Sequence, residues 1–82
     1  MVSAEQIGIV IRNLRKAKGL SQDVLSGLAG LDRTHYSKIE RGLRSPTIET
    51  LFKISHALDI RPHELMLAIE KAALCEQDGF PE

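Results

Sequence analysis

Residues 31 to 42, LDRTHYSKIERG, place several hydrogen-bonding side chains within two turns of a predicted helix, directly behind a glycine. Arg33 and Lys38 could each bond O6 and N7 of a guanine, and the methyl and hydroxyl groups of Thr34 suit a thymine or a phosphate. The alternative is an ordinary solvated helix face. The elements around this stretch decide between the two interpretations.

Catalytic and metal sites are poorly supported by the same sequence. Ser, His and Asp are all present, but no G-x-S-x-G motif accompanies a serine, and there is no glycine-rich phosphate loop. The three His residues have no Cys or carboxylate partners at metal-ligand spacing, and Cys75 cannot form an internal disulfide. We therefore expect neither an enzyme nor a bound metal or cofactor.

The length and composition predict one small helical domain. The 82 residues are 43% hydrophobic but contain only three aromatic side chains, so the core should be aliphatic. No run of about 18 apolar residues suits a membrane span, and the N-terminus does not resemble a signal peptide. We expect a cytoplasmic protein that does not contact a membrane.

The charge is zero in total but unevenly distributed. Residues 12 to 44 contain eight Lys or Arg and three acidic residues, a net charge of +5, and the remainder carries −5. Such a dipole can orient a polyanion toward one surface of a neutral protein.

Hydrophobic periodicity and capping residues predict five helices, over residues 4–18, 22–29, 33–41, 48–58 and 62–75. The predicted N-caps are Ser3, Ser21, Asp32 and Thr47. In helix 2, the side chains predicted to be buried are Val24, Leu25, Leu28 and Ala29. No strand pattern is visible. The sequence therefore predicts an all-α domain over residues 1–75, followed by a flexible tail over 76–82.

Helices 2 and 3 have the spacing of a helix-turn-helix. Only Gly30 to Asp32 separate them, and a short turn containing glycine is typical of this motif, whose second helix enters the major groove of DNA. The polar side chains of helix 3 would then point outward together. This arrangement favours the interpretation of the 31 to 42 stretch as a base-contacting surface.

The motifs LRKAKGLSQDVLSGLAG, DRTHYSKIERG and SPTIETLFKISHALDI, in this order, resemble the Cro and phage-repressor (Xre) type of helix-turn-helix protein. The resemblance covers about residues 7 to 67. It implies a five-helix, Cro/repressor-like domain that binds operator DNA, usually as a two-fold dimer. LDRT followed by IERG also looks like the recognition segment of restriction-modification controller proteins.

The resemblance assigns DNA contacts residue by residue. It implies base contacts for Arg33, Thr34 and Lys38, with His35 and Ser37 at the edge of the contact surface. It implies phosphate contacts from the start of helix 2 and the segment after helix 3, namely Ser21, Gln22, Arg41, Arg44 and Ser45.

Three further residues have implied roles near the recognition helix. Arg15 and Glu40 match a family pair that forms a structural salt bridge between helices 1 and 3. Tyr36 stands where the family usually has Ile or Val, and we expect its hydroxyl to reach the surface and a phosphate.

Helix 5 is too apolar for a helix that covers a small core. We expect a homodimer formed through its side chains Leu65, Met66, Leu67, Ile69, Ala73 and Leu74, because some of them should remain exposed on a monomer.

Two functions remain open on the sequence alone. The first is a sequence-specific transcriptional regulator, a repressor or autoregulator, that binds double-stranded DNA at a roughly palindromic operator without a small-molecule effector. The second is an antitoxin-like interaction module whose DNA binding is secondary. Neighbouring genes would distinguish them, since an adjacent methyltransferase and endonuclease indicate a controller and an adjacent toxin gene an antitoxin.

Overall fold

A computed structural model describes residues 2–77 of the chain. Within this range it contains five α-helices: α1 (Ala4–Ala17), α2 (Gln22–Ala29), α3 (Arg33–Glu40), α4 (Ile48–Ala57) and α5 (Pro62–Gln77). All five lie where the sequence predicts them, and their ends differ from the predicted ones by at most two residues. The all-α, five-helix fold is thus confirmed.

Side-chain caps define where the helices begin. At α1 the Ser3 hydroxyl accepts a hydrogen bond from the Gln6 backbone N–H, and the Gln6 side chain accepts one from the Ser3 N–H, a complete capping box. The side chains of Ser21, Asp32 and Thr47 cap the next three helices. Each such cap stabilises a protein by about 1 kcal/mol.

Aliphatic side chains from all five helices form the core. The helix α1 packs against α3 and α5, and α2 packs against α3 and α4. The completely or almost completely buried apolar side chains are Ile11, Leu25, Tyr36, Ile39, Ile54, Leu58 and Leu65. Through this core α3 packs against α1 and α2, while its other side faces solvent.

The predicted buried stripe of α2 is only half right. Leu25 and Ala29 are buried, but the side chains of Val24 and Leu28 are 48% and 58% exposed. An eight-residue helix between α3 and α4 presents one narrow face to the core, so the apolar side chains beside that face stay in solvent.

The helix α5 differs from its prediction in two respects. Leu65 and Ile69 lie in the core of the monomer, so their assignment to a dimer interface is wrong. The helix also continues to Gln77, so the first two residues of the predicted tail, 76 and 77, are helical. Residues 78–82 lie outside the described part of the chain. No helix within residues 2–77 is both long and apolar enough to cross a membrane.

Candidate nucleic-acid interface

A tight turn joins α2 to α3. Gly30 ends α2 with φ 71° and ψ 30°, a left-handed conformation that glycine adopts without steric cost. The Leu31 N–H then bonds the Ser26 carbonyl at 2.9 Å, and the Asp32 carboxylate accepts from the His35 N–H at 3.2 Å. The chain therefore leaves one helix and begins the next within three residues.

A buried ion pair holds the far end of α3 against α1. Arg15 Nε donates to Glu40 Oε2 at 2.6 Å and Arg15 Nη2 donates to Oε1 at 3.1 Å. The two side chains are only 10% and 2% exposed. Arg15 Nη1 also bonds the Leu20 carbonyl at 2.8 Å, which ties the α1–α2 loop to the same pair. The geometry is bidentate, the arrangement in which Arg–carboxylate pairs are strongest.

Tyr36 joins this cluster from within the protein. Its side chain is completely buried, and its hydroxyl donates a short hydrogen bond to Glu40. The expected phosphate contact of Tyr36 is therefore wrong, because the hydroxyl points toward the α1–α3 contact and not toward solvent. Burial and the neighbouring Glu40 carboxylate together raise the pKa of Tyr36 well above its ordinary value.

Glu40 stays ionised because it has three donors. Burial favours the neutral acid, but the hydrogen bonds from Arg15, Tyr36 and Gln22 outweigh it and lower the pKa of Glu40. The Gln22 side-chain amide contributes a 2.9 Å bond to Glu40 Oε1. The hydrogen bond between Arg15 and Glu40 in turn raises the pKa of Arg15. The carboxylate of Glu40 thus connects α1, α2 and α3 at one point.

The outward face of α3 carries the predicted base-contacting side chains. Arg33 and Thr34 are exposed, and His35, Ser37 and Lys38 are half-buried. Since Tyr36, Ile39 and Glu40 occupy the inward face, these five polar side chains are left toward solvent on one helix. The structure therefore brings the base-contact candidates together on α3.

The predicted phosphate contacts flank this face. Ser21 is exposed at the start of α2, where its hydroxyl also accepts from the Val24 N–H at 3.1 Å. Beyond α3, the side chains of Arg41, Arg44 and Ser45 are exposed. Gln22 is half-buried, and its contact with Glu40 gives it a structural role that the sequence did not reveal.

Three other contacts were missed from the sequence. Arg33 Nη1 lies 2.9 Å from Asp23 Oδ1, and Arg33 Nη2 donates a 3.5 Å bond to Gln22 Oε1. Gly8 of α1 meets the end of α3 so closely that a Cβ there would lie 2.5 Å from the carbonyl oxygens of Ile39 and Glu40. The signal for Gly8 was a residue without a side chain at a core-facing position of a helix.

Among the side chains that the structure describes, those of residues 2–74, no group of three or more His, Cys, Asp or Glu has the arrangement of a metal site. The described polar side chains are instead arranged as an exposed basic and hydroxyl face on a short helix, which is held from behind by a buried ion pair. This is the geometry of a helix-turn-helix DNA-binding domain.

Comparison with known families agrees with this geometry. Residues 11–65 match the family model described as Helix-turn-helix, which covers more than half of the chain. The protein belongs to this family. It is a DNA-binding transcriptional regulator of the Xre type and not an enzyme.

The chain is similar to restriction-modification controller proteins in particular. It is 45% identical to C.AhdI from Aeromonas hydrophila, with a TM-score of 0.73 over 76% of this chain and 94% of that one. It is 32% identical to C.Esp1396I, with a TM-score of 0.80 over 87% and 93% of the two chains, and that protein has been crystallised as a tetramer with its natural 35 base-pair operator. Control protein C.MunI from a Mycoplasma species is 43% identical over 67 residues, which are 80% of this chain and 90% of the relative.

Proposed function

We propose that the protein binds a roughly palindromic operator as a homodimer, with α3 of each subunit in the major groove. The observation that carries this proposal is the two-sided construction of α3. Arg33, Thr34 and Lys38 face outward, while Glu40 on the opposite side is held by a buried pair to α1. Because this pair holds α3 in place, the helix can position its side chains against base edges without a large loss of conformational freedom on binding.

Phosphate contacts would fix the position of α3 in the groove. The exposed Ser21, Arg41, Arg44 and Ser45 lie at the two ends of the α2–α3 unit, with His35 and Ser37 beside the base-contacting side chains. The net charge of +5 over residues 12 to 44 favours the approach of DNA to this side. Operator binding implies the cytoplasm as the site of action.

We expect Arg33→Ala and Arg44→Ala to weaken DNA binding in different ways. Arg33→Ala should cost about 1 to 3 kcal/mol and relax base preference at one position in each half-site. Arg44→Ala should weaken binding to every sequence and lower the slope of log K against log salt concentration by about one unit, because one phosphate contact is lost. Both are measured by selection from random DNA, followed by titrations at several salt concentrations.

Two results would contradict these assignments. An equal loss of affinity for all sequences with Arg33→Ala would remove Arg33 from the base-contacting set. Absence of any enriched sequence with the wild-type protein would remove operator recognition itself. Two-fold symmetry also requires half-site centres about 34 to 36 Å apart when the two α3 helices occupy adjacent turns of the groove.

The dimer would form through α5 and the start of α4. Apolar side chains remain exposed there on the described monomer, namely Ile48, Phe52, Met66, Leu67 and Leu74, while Ala73 is half-buried. Four of these side chains, those of Ile48, Phe52, Met66 and Leu67, line a groove of about 470 Å³ between the two helices. A second copy presenting the same face would cover these side chains in an isologous interface.

Leu67→Glu should convert the dimer to a monomer. Two carboxylates would be buried near each other in a symmetric interface, so we expect the dimer dissociation constant to rise at least about 100-fold. Leu28→Glu is the matched control, because Leu28 is exposed to a similar extent but lies on α2. Sedimentation without DNA at tens of micromolar measures both. A wild-type monomer, or a Leu67→Glu dimer, would contradict the proposed interface.

Similarity to C.AhdI, C.Esp1396I and C.MunI supports the controller subtype over the antitoxin-like alternative. The test is genomic. Genes for a methyltransferase and an endonuclease beside this gene, with the selected operator upstream of them, would agree with a controller, whereas an adjacent toxin gene would favour the antitoxin-like function.

A further inference from the structure

The candidate base-contacting arginine is paired with an acid on the neighbouring helix. Arg33 and Asp23 form an ion pair of 2.9 Å whose side chains are 56% and 74% exposed. Gln22 accepts a further bond of 3.5 Å from the other terminal nitrogen of Arg33. In the protein without DNA, the guanidinium is therefore held toward the start of α2.

Asp23 is an unexpected residue on a surface that approaches phosphates. The other acids of the positive segment have local roles, since Asp32 caps α3 and Glu40 is buried in its pair with Arg15. The contact of the Asp23 carboxylate is with Arg33, across the turn of the helix-turn-helix. An anion at this position opposes binding to any DNA unless it also changes what Arg33 does.

We propose that Asp23 determines specificity by holding Arg33 back from phosphates and releasing it only to a base edge. A guanine offers two acceptors in the plane of the guanidinium, so it can replace the Asp23 contact with a bidentate one. With a single phosphate, Arg33 would only exchange its exposed ion pair with Asp23 for an exposed ion pair with the phosphate. The unpaired Asp23 carboxylate would then lie beside the DNA backbone. On non-operator DNA Arg33 therefore stays with Asp23. This inference rests on the proposed base contact of Arg33.

Asp23→Asn tests the inference through the salt dependence of binding. On non-operator DNA the unpaired Arg33 should gain a phosphate, so the salt slope should steepen by about 0.9 and the affinity at 0.1 M salt should rise about 8-fold. On the selected operator Arg33 already contacts a base, so the slope should not change and the affinity should rise only about 2-fold, from loss of the competing ion pair. The ratio of operator to non-operator affinity should thus fall about 4-fold.

Asp32→Asn is the matched control. This substitution also removes one negative charge near Arg33, but Asp32 does not pair with Arg33. Asparagine still caps α3. We expect it to change operator and non-operator binding by the same factor. In Asp23→Asn/Arg33→Ala the non-operator salt slope should return to the wild-type value, because the gained contact belongs to Arg33.

Equal changes on both DNAs with Asp23→Asn, matching those of Asp32→Asn, would overturn the inference while leaving operator recognition intact. A steeper non-operator slope that persists in Asp23→Asn/Arg33→Ala would overturn it as well. Failure of the proposed function is a separate result, because wild-type protein would then select no sequence at all.

Discussion

We expect Glu40→Ala to lower the free energy of unfolding by about 3 to 5 kcal/mol, the usual cost of leaving one buried charge without its partner. Arg15 would keep its positive charge in a site where its side chain is only 10% exposed, and the buried Tyr36 hydroxyl would lose its acceptor. Arg15→Ala should lower the free energy of unfolding by a similar amount. Glu40 would then either remain as a buried carboxylate without its partner or take up a proton, and both states cost free energy. Urea unfolding at one fixed protein concentration measures both losses.

The chain contains a natural control for this effect. The exposed pair of Arg33 and Asp23 has almost the same N–O distance as the buried pair of Arg15 and Glu40, 2.9 Å against 2.6 Å. Exposed ion pairs contribute about 0.2 to 1 kcal/mol, so Asp23→Ala should have a far smaller effect than Glu40→Ala. If Glu40→Ala and Asp23→Ala each lowered the free energy of unfolding by less than about 1 kcal/mol, the buried pair would not be what holds α3 against α1.

The same cluster predicts a loss of stability in acid. The pKa of Glu40 is lower in the folded protein than its ordinary value of 4.5, so its contribution is fully present above that value. The contribution decreases as the pH falls through 4.5 and then through the lowered folded value. Unfolding measured at pH 7, 5 and 3 should show that wild type and Glu40→Gln differ less as the pH falls. A difference that grows in acid would contradict the lowered pKa.

We expect Gly8→Ala to destabilise the protein by about 3 kcal/mol, at the upper end of the usual cost of overpacking. The added methyl group would lie 2.5 Å from two backbone carbonyl oxygens at the end of α3, which cannot move aside as a flexible side chain can. Relief requires α1 and α3 to separate. The separation would also disturb the Arg15 and Glu40 contact two turns farther along α1.

Gly27→Ala is the control for Gly8→Ala. Gly27 is also a helical glycine, but a Cβ there meets no atom within 4 Å. Alanine is favoured over glycine in a helix by about 1 kcal/mol, so this variant should be more stable than wild type. Urea unfolding should therefore shift in opposite directions for the two substitutions. Shifts in the same direction would show that the close approach of α1 and α3 is not a constraint.

The sequence by itself determined the helices, because their signals are local. Each N-cap bonds a backbone N–H three residues ahead, as Ser21 and Thr47 do, so the pattern is visible in a few neighbouring letters. Gly30 at the turn has the same local character. The order of these elements and the polar side chains left on α3 were enough to predict the helix-turn-helix fold and the residues proposed to contact bases.

Tertiary structure decided which partner each side chain has. Helical spacing alone allows the Tyr36 hydroxyl to reach solvent. The packing of α3 against α1 instead places it in the core beside Glu40. Leu28 and Leu65 have the same side chain on helices of the same domain, yet one is 58% exposed and the other 1%. Helical periodicity defines a stripe of apolar side chains but not its width, which depends on how much of the helix its neighbours cover.

The contacts that position α3 against α1 and pair its Arg33 with an acid are also tertiary. Arg33 and Asp23 are ten residues apart, and Gly8 approaches a backbone more than thirty residues away. Neither contact leaves a periodic pattern in the sequence, because it depends on where two helices cross. The residue types of the proposed DNA-binding face could therefore be predicted from the sequence, whereas the contacts that hold and restrain that face are a consequence of the packing of α1, α2 and α3.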